Sequence, residues 1–279
     1  NGKVNILNLW KEDIELKLGE PTELSGKLAF ESLEAATNEL ANGGIDVLVT
    51  APINKDNIQS EDFKFPGHTE YLESKLEGES LMILMADTLR IGLITGHIPI
   101  AKVSETITPE LIKKKVAILY KTLVQDFAIF KPKIAILGLN PHCGDNGVIG
   151  EEDDTIIRPT IDEIQNEGKL IYGPYAADSF FGSSNYKNFD AILAMYHDQG
   201  LAPFKTLSFG EGVNYTAGLS KIRTSPDHGT AYELAGKGLA NINSFKEAIF
   251  AAIKVFKTRE EYKSLTENTL KSNQRKEKM

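Results

Sequence analysis

The sequence has one cysteine, no long apolar run and no cluster of basic residues, and each scarcity excludes a class of protein. Cys143 has no second cysteine with which to form an internal disulfide, which indicates a reducing compartment. No apolar run approaches the roughly 20 residues of a transmembrane helix, and the first residues lack the layout of a signal peptide. We therefore expect a cytoplasmic protein that does not bind membranes.

The charge balance argues against a nucleic-acid partner. The 279 residues include 31 Lys and Arg against 39 Asp and Glu, a net charge of −8, and the basic residues are scattered. A nucleic-acid surface needs a basic stripe, so none is expected. The composition is ordinary for a globular enzyme, and the length allows one large domain or two smaller ones.

Short apolar runs alternate with longer amphipathic stretches. A helix is predicted over residues 26–42, with Ser25 as its N-cap and Gly43 at its end, and a second helix begins near Thr108 and Pro109. Further helices are predicted over residues 154–168, twice within 228–257, and in the basic tail. Strands are predicted over residues 45–53, 80–86, 89–97, 133–142, 189–197 and 213–219. This alternation predicts the α/β class, with a largely parallel sheet and helices on both faces.

Three of the five histidines close strand-like runs. His97, His142 and His197 end the segments LITGH, AILGLNPH and ILAMYH. Ligands of open parallel sheets bind outside the carboxyl ends of the strands, and three imidazoles with one open position suit a catalytic divalent ion. Alternatively, each histidine caps a strand end and bonds to the backbone. The spacings of 45 and 55 residues match no local metal signature, so convergence depends on the fold.

A polar, loop-rich stretch over residues 195–223 offers groups for binding an anion. Lys205, Asn214 and Arg223 are candidates to hold a phosphate or carboxylate, because arginine supplies a bidentate fork and lysine a point charge. Solvation at the surface is the alternative for each of them. Asp198 directly follows a candidate metal ligand.

The segment Asp227-His228-Gly229-Thr230 is predicted to lie at the start of a helix. Backbone N–H groups at a helix start favour phosphate or adenosine oxygens. No GxGxxG segment follows a strand, so an ordinary dinucleotide-binding Rossmann site is not indicated.

Six segments, taken together and in order, resemble the 4-hydroxythreonine-4-phosphate dehydrogenase family. They cover most of residues 45–250 and are VTAPINK (49–55), FPGHTE (65–70), TGHIPI (95–100), LNPHCGDNG (139–147), MYHDQGLAPFK (195–205) and IRTSPDHGTAYELAGKG (222–238). One such segment would be a weak signal, whereas six in family order are highly specific.

The resemblance implies a fold shared with isocitrate and isopropylmalate dehydrogenases, in which two α/β/α domains enclose a cleft. By this analogy the first domain comprises residues 1–69 and 244–279, and the second comprises 70–243. The second domain would carry most of the metal and cofactor residues. The resemblance also implies a homodimer whose active sites use residues of both subunits.

The resemblance further assigns roles to individual residues. The implied metal ligands are His97, His142 and His197. The implied substrate contacts are His68, Thr69, Lys205, Asn214 and Arg223. The implied cofactor contacts are Asp227, His228 and Gly229, and Asp198 or Lys205 is implied to relay a proton. The implied cofactors are NAD or NADP and one divalent metal, zinc first, with magnesium and cobalt as alternatives.

The implied reaction oxidises the C3 hydroxyl of 4-phosphohydroxy-L-threonine. Decarboxylation then gives 3-amino-2-oxopropyl phosphate for pyridoxal phosphate synthesis. The nearest alternative is a dehydrogenase of a related phosphorylated sugar acid, phosphothreonate or phosphoerythronate. Two further alternatives are a zinc hydrolase that uses three histidines and a non-enzymatic metal- or anion-binding protein.

The sequence departs from the family pattern in three places. The N-terminal glycine-rich segment of the form GDPAGIGPE does not occur, and we expect it in an omitted upstream part. Cys143 stands beside a candidate metal ligand where the family usually has alanine, and it is either inert or sensitive to oxidation. Asp145 stands where glutamate is common.

Overall fold

The computed structural model describes residues 2–15, 17–208 and 210–268, and within them one eight-stranded sheet carries helices on both faces. The strands are β1 (Val47–Val49), β2 (Gly78–Ala86), β3 (Leu89–Leu93), β4 (Lys133–Leu137), β5 (Leu170–Tyr175), β6 (Ala191–Ala194), β7 (Val213–Leu219) and β8 (Ile222–Pro226). The α-helices are α1 (Glu23–Asn42), α2 (His68–Lys75), α3 (Val103–Thr106), α4 (Pro109–Phe127), α5 (Arg158–Asn166), α6 (Ala177–Gly182), α7 (His197–Leu207) and α8 (Asn243–Thr266). None of the helices in these ranges has the length and apolar character to span a bilayer.

The strand order is β1-β8-β7-β2-β3-β6-β4-β5. Strands β3, β6, β4 and β5 run parallel to one another, and β1 is parallel to β8. The predicted α/β class is confirmed. The sheet is more mixed than predicted, because β2 pairs antiparallel with both β3 and β7, and β7 with β8.

The strand register gives one face of the sheet its polar residues. Arg223 of β8 is paired with Leu48 of β1 on one side and with Thr216 of β7 on the other, and Thr216 is paired with Met82 of β2. Paired residues share a face, and successive residues alternate between faces. The opposite face of the same strands is apolar and packs against α4 and α8. A second cluster packs α6 and α7 against the face that carries Met82.

The first helix confirms its prediction except at the cap. The predicted helix over 26–42 is α1, which begins three residues earlier because Thr22 is the N-cap. The Ser25 N–H donates to Thr22 Oγ1, and the Thr22 N–H donates to Ser25 Oγ, each at 3.1 Å, so Ser25 is the inner partner of a capping box. Gly43, with φ of 77°, ends the helix as predicted. Likewise α4 begins with Thr108 as its cap.

Of the two helices predicted within residues 228–257, the second is found as α8 and the prediction of the first is wrong. One short 3₁₀ turn, Tyr232–Leu234, precedes α8. Gly236 and Gly238 have φ of 74° and 66°, a left-handed conformation that interrupts a right-handed helix. The helix predicted in the tail falls on residues 269–279, outside the described ranges.

The strand predicted over residues 45–53 is reduced to the three residues of β1. Pro52 cannot donate a hydrogen bond, which fits the early exit of the chain from the sheet. The other predicted strands are found, most of them shorter than predicted, whereas β5 and β8 were not predicted. The helix predicted over 154–168 is a π-helical turn, Asp153–Ile157, followed by α5.

The division into two domains stays a prediction. Strand β1 falls in the first predicted domain and β8 in the second, and the two strands pair in parallel within the one sheet.

Candidate functional site

A cavity of about 280 Å³ lies against the polar face of the sheet. Most of the residues assigned by resemblance line it, and these are His68, Thr69, His97, His197, Lys205, Asn214, Arg223, Asp227, His228 and Gly229. This volume suits a small ligand, since pockets for drug-sized molecules start at about 300 Å³.

Two histidines form a pair at the cavity. His97 follows β3 and His197 follows β6, and these strands are parallel neighbours, so the two rings reach the same edge of the sheet with centroids 5.4 Å apart. Glu70 Oε1 lies 3.5 Å from His97 Nδ1, and Asp198 Oδ1 lies 2.7 Å from His197 Nδ1. A carboxylate at Nδ1 favours a proton there and leaves Nε2 as a lone-pair donor. The paired imidazoles therefore fit a divalent metal ion.

His142 is not brought to the other two histidines. It follows β4, which neighbours β6 as the predicted topology requires, but its side chain is exposed and does not line the cavity. Within the described ranges, no group of three or more His, Cys, Asp or Glu side chains is arranged to hold a metal ion. His142 as a third metal ligand stays a prediction, because within one chain it does not line the cavity with His97 and His197.

The turn that carries His142 has an uncommon backbone. All residues from His142 to Gly147 have positive φ, including four that are not glycine. Such residues cost of order 1–3 kcal/mol each and persist only where the surroundings fix them. Buried Asp153 supplies that support, since its carboxylate accepts hydrogen bonds from the N–H groups of Leu139 and Asn140, both at 2.9 Å. The exposed position of His142 is therefore built into the fold.

Cys143 has the character of an unreactive thiol. Its side chain is partly buried, and burial, followed by the negative charge of Asp153, raises its pKa to about 11. A protonated thiol is a poor nucleophile. These observations favour the inert alternative.

Arg223 is the most deeply buried cation at the cavity, with 3% of its surface exposed. Its Nε and Nη2 donate to Thr50 Oγ1 at 3.0 and 2.6 Å, and its Nη1 donates to Thr216 Oγ1 at 3.2 Å. No carboxylate among the described residues contacts the guanidinium. Burial lowers the pKa of Arg223 to about 10, so the group remains charged at neutral pH and has no counterion within bonding distance.

The charge of Arg223 acts on its neighbour His68. Burial, followed by the positive charges of Arg223 and Lys55, lowers the pKa of His68 to about 3. The imidazole is therefore neutral at physiological pH. Asn214, also at the cavity, has a buried Oδ1 atom without a hydrogen-bond partner among the described residues. Both residues stay predictions as substrate contacts.

The cofactor candidates line the cavity, but not at a helix start. Asp227 directly follows β8, and the next regular element is the 3₁₀ turn, so the predicted helix start at residues 227–230 is wrong. Ser244 Oγ donates to Asp227 Oδ1 at 3.3 Å, and His228 Nδ1 lies 2.9 Å from the Gly229 carbonyl oxygen. Binding of a cofactor by Asp227, His228 and Gly229 stays a prediction.

Three residues that contact the charged groups of the site were not predicted from the sequence. Glu70 lies in the quoted segment FPGHTE and contacts His97, and the hydrogen bond from His97 lowers the pKa of Glu70. Thr50 and Thr216 contact Arg223 from neighbouring strands. The alternation of VNYTAGL placed Asn214 and Thr216 on one face, but only the strand register brings Arg223 beside them.

Comparison with known proteins identifies the family. The family model described as pyridoxal phosphate biosynthetic protein PdxA matches residues 1–252. A 4-hydroxythreonine-4-phosphate dehydrogenase of Bacteroides thetaiotaomicron is 52% identical over 271 residues, which cover 96% of this chain and 74% of that protein.

Solved structures agree in fold. The 4-hydroxythreonine-4-phosphate dehydrogenase of Klebsiella pneumoniae superimposes with a TM-score of 0.74 at 34% identity, over 86% of this chain and 74% of its own. A terephthalate 1,2-cis-dihydrodiol dehydrogenase of Burkholderia xenovorans gives 0.60 at 25% identity, over 85% and 76%. By family match and by identity, the chain belongs to the family of the pyridoxal phosphate biosynthetic protein PdxA.

Proposed function

We propose that this chain is a 4-hydroxythreonine-4-phosphate dehydrogenase. It oxidises the C3 hydroxyl of 4-phosphohydroxy-L-threonine with NAD or NADP, and decarboxylation gives 3-amino-2-oxopropyl phosphate for pyridoxal phosphate synthesis. The observation that carries the proposal is a buried cation, Arg223, which has no counterion among the described residues and lies in the same cavity as the paired imidazoles of His97 and His197. The first supports binding of an anionic substrate, and the second supports a metal ion at its reacting hydroxyl.

Recognition of the substrate rests on the charged groups of the cavity. Arg223 from the sheet and Lys205 from α7 both line it, so an anionic ligand would meet cations from two elements. His68 and Thr69 line the same cavity at the start of α2. His68 is neutral, so it contributes a hydrogen bond rather than a further positive charge. Fixing both ends of the substrate orients the reacting C–H bond toward the nicotinamide.

His97 and His197 would hold the divalent metal, and His142 of the partner subunit would complete the set in a homodimer. The exposed His142 turn, held in shape by Asp153, supports a role outside its own subunit. Zinc is proposed first, with magnesium or cobalt as alternatives. When bound, such an ion acidifies a hydroxyl and polarises a carbonyl as a Lewis acid.

Among the two candidates for moving the substrate proton, the contacts favour Lys205. Asp198 Oδ1 is 2.7 Å from His197 Nδ1, which suits a group that orients the imidazole. Lys205 lines the cavity and forms no ion pair with any described residue. Asp227, His228 and Gly229 would contact the nicotinamide cofactor, because they line the cavity beyond the end of β8.

The second candidate function is oxidation of phosphothreonate or phosphoerythronate. The Burkholderia xenovorans structure favours this second candidate, because a protein of related fold is named for a different substrate, a terephthalate dihydrodiol. The same cations would bind a phosphorylated sugar acid, and such a substrate carries a hydroxyl in place of the ammonium. A substrate panel with NAD separates the two functions.

The test follows NADH absorbance with purified protein, 4-phosphohydroxythreonine and NAD, before and after metal is removed with a chelator. We expect chelation to abolish NADH formation and zinc to restore it. His142→Ala and His197→Ala should each be inactive when pure, and co-expression of both should restore activity through mixed dimers. Absence of NADH with any metal moves the proposal to the sugar acids. Failure of the mixed dimers to recover activity would overturn the shared site.

A further inference from the structure

We propose that Thr50 and Thr216 are positioning residues for Arg223. Their hydroxyls hold the guanidinium with uncharged acceptors, so that one edge of the group and its full charge stay available to an oxyanion of the substrate. This inference rests on the proposed function, since it specifies how the anion-binding arginine is prepared.

The strand register explains how two threonines reach one arginine. Arg223 lies on β8 between β1 and β7, directly opposite Leu48 and Thr216. Thr50 is two residues beyond Leu48, so its side chain points to the same face of the sheet. One hydroxyl therefore approaches the guanidinium from each neighbouring strand. Thr216 is fully buried and Thr50 is 8% exposed, so water does not compete at these contacts.

A donor count shows what the threonines leave free. A guanidinium has five N–H groups in a planar fork. Thr50 Oγ1 accepts from Nε and Nη2, and Thr216 Oγ1 accepts from Nη1, which uses three. One N–H on Nη1 and one on Nη2 remain, and no other described residue accepts from them. Each of these two N–H groups can donate to an oxygen of a carboxylate or phosphate.

The chemistry of the acceptors matters as much as their positions. A hydroxyl oxygen accepts a hydrogen bond without neutralising the guanidinium, whereas a carboxylate would satisfy both its geometry and its charge. Glu70 is the acidic residue whose charge acts on Arg223, and its Oε1 atom is directed to His97. The ligand class is therefore an oxyanion, and the proposed substrate offers both a carboxylate and a phosphate.

The experiment compares threonine variants in the full-length protein. Thr50→Val and Thr216→Val remove the acceptor, Thr50→Ser and Thr216→Ser retain it, and Thr50→Asp supplies a charged acceptor. Thr224→Val is the matched control, because Thr224 is buried on the next position of β8 but donates to Ala248 of α8. Calorimetry measures the affinity for inorganic phosphate and, separately, for acetate, and steady-state assays give KM and kcat.

We expect each valine variant to bind the preferred anion about tenfold more weakly and to raise KM more than it lowers kcat. The serine variants and Thr224→Val should stay close to wild type. Thr50→Asp should lose anion affinity although its carboxylate can still hold the arginine. This result separates the effect of charge from that of geometry. It also does not require the valine variants to fold. Phosphate or acetate, whichever responds, identifies the end of the substrate that Arg223 binds.

The Arg223→Met variant separates a failure of the proposed function from a failure of the role given to the threonines. If Arg223→Met binds both anions as tightly as wild type, the anion-binding role in the proposed function fails. If Arg223→Met loses affinity while the valine variants and Thr50→Asp retain it, the role of the threonines is overturned and the proposed function stands.

Discussion

Two buried arginines in this molecule have opposite surroundings. Arg259 of α8 is 5% exposed and Arg223 of β8 is 3% exposed. Arg259 forms a double hydrogen bond with Asp126, with Nε–Oδ1 at 2.7 Å and Nη2–Oδ2 at 2.9 Å, and Tyr215 completes the network. In the described part of the chain, the guanidinium of Arg223 donates only to the hydroxyls of Thr50 and Thr216.

The difference separates a cation that is paired with a carboxylate from one that is held by uncharged acceptors, and we propose that the second binds a ligand. The hydrogen bond and charge of Asp126 outweigh burial and raise the pKa of Arg259, whereas burial dominates and lowers that of Arg223. A buried charge without a partner is costly, and a fold keeps one where function requires it. Burial alone therefore does not distinguish the two arginines. The chemical type of the hydrogen-bond acceptor, carboxylate or hydroxyl, does.

The largest expected effect is that of Arg223→Met on catalysis. Losing the buried cation should lower kcat/KM about a thousandfold, because the anion would lose a desolvated charged partner. The free energy of unfolding should stay unchanged or rise, since an unpaired buried charge is removed. Steady-state kinetics and urea titration check both values. A large loss of stability would make Arg223 structural and break the comparison.

Asp126→Ala should produce the reverse result. It leaves the Arg259 charge buried without its partner, which typically costs about 3–5 kcal/mol of unfolding free energy. The catalytic parameters should remain near wild type at a temperature where the variant is folded, because Asp126 lies on α4 and does not line the site cavity. Tyr215→Phe is a milder control that retains the ion pair. Loss of kcat in a fully folded Asp126→Ala protein would contradict the assignment.

Glu70→Gln removes the carboxylate whose negative charge acts on Arg223 but whose hydrogen-bond partner is His97. Removing such a histidine-orienting carboxylate typically weakens metal binding by about 10–100-fold. We expect weaker zinc affinity in the metal-free full-length protein, measured by competition with a chelating dye. Asp198→Asn, at the other histidine, is the matched variant. An unchanged zinc affinity in both variants would argue against a metal at this pair.

The sequence predicted which strands precede the three histidines, but it did not predict where the histidine side chains point. Residues His97, His142 and His197 do follow three neighbouring parallel strands, as the apolar runs indicated. Only two of them meet, because a left-handed turn directs the third outward. Asp153 holds the residues before that turn, Leu139 and Asn140, and the sequence pattern around residue 142 does not reveal this contact.

Strand β8 was not predicted because of its polar composition. All five of its residues are buried, yet three of them are polar or charged, namely Arg223, Thr224 and Ser225. A central strand is normally apolar, so these polar residues, of which Arg223 and Ser225 line the cavity, made the strand hard to predict. Thr50 was not predicted either, because its contact with Arg223 depends on the pairing of β1 with β8, which are far apart in sequence.

The smallest expected effect is a pH dependence at His68, and it tests how far the charge of Arg223 reaches. The pKa of His68 is about 3 in the folded chain against 6.5 in its ordinary state, so the unfolded chain takes up a proton first. The contribution of His68 to the free energy of unfolding is fully present above pH 6.5 and is lost as the pH drops toward 3. The loss is about 2 kcal/mol at pH 5. Unfolding titrations should show this loss in wild type and not in His68→Gln. In Arg223→Met the loss should shrink but persist, because burial is the larger cause and the arginine the second. A loss as large as in wild type would mean that the charge of Arg223 is compensated locally, and the contrast with Arg259 would then lose its basis.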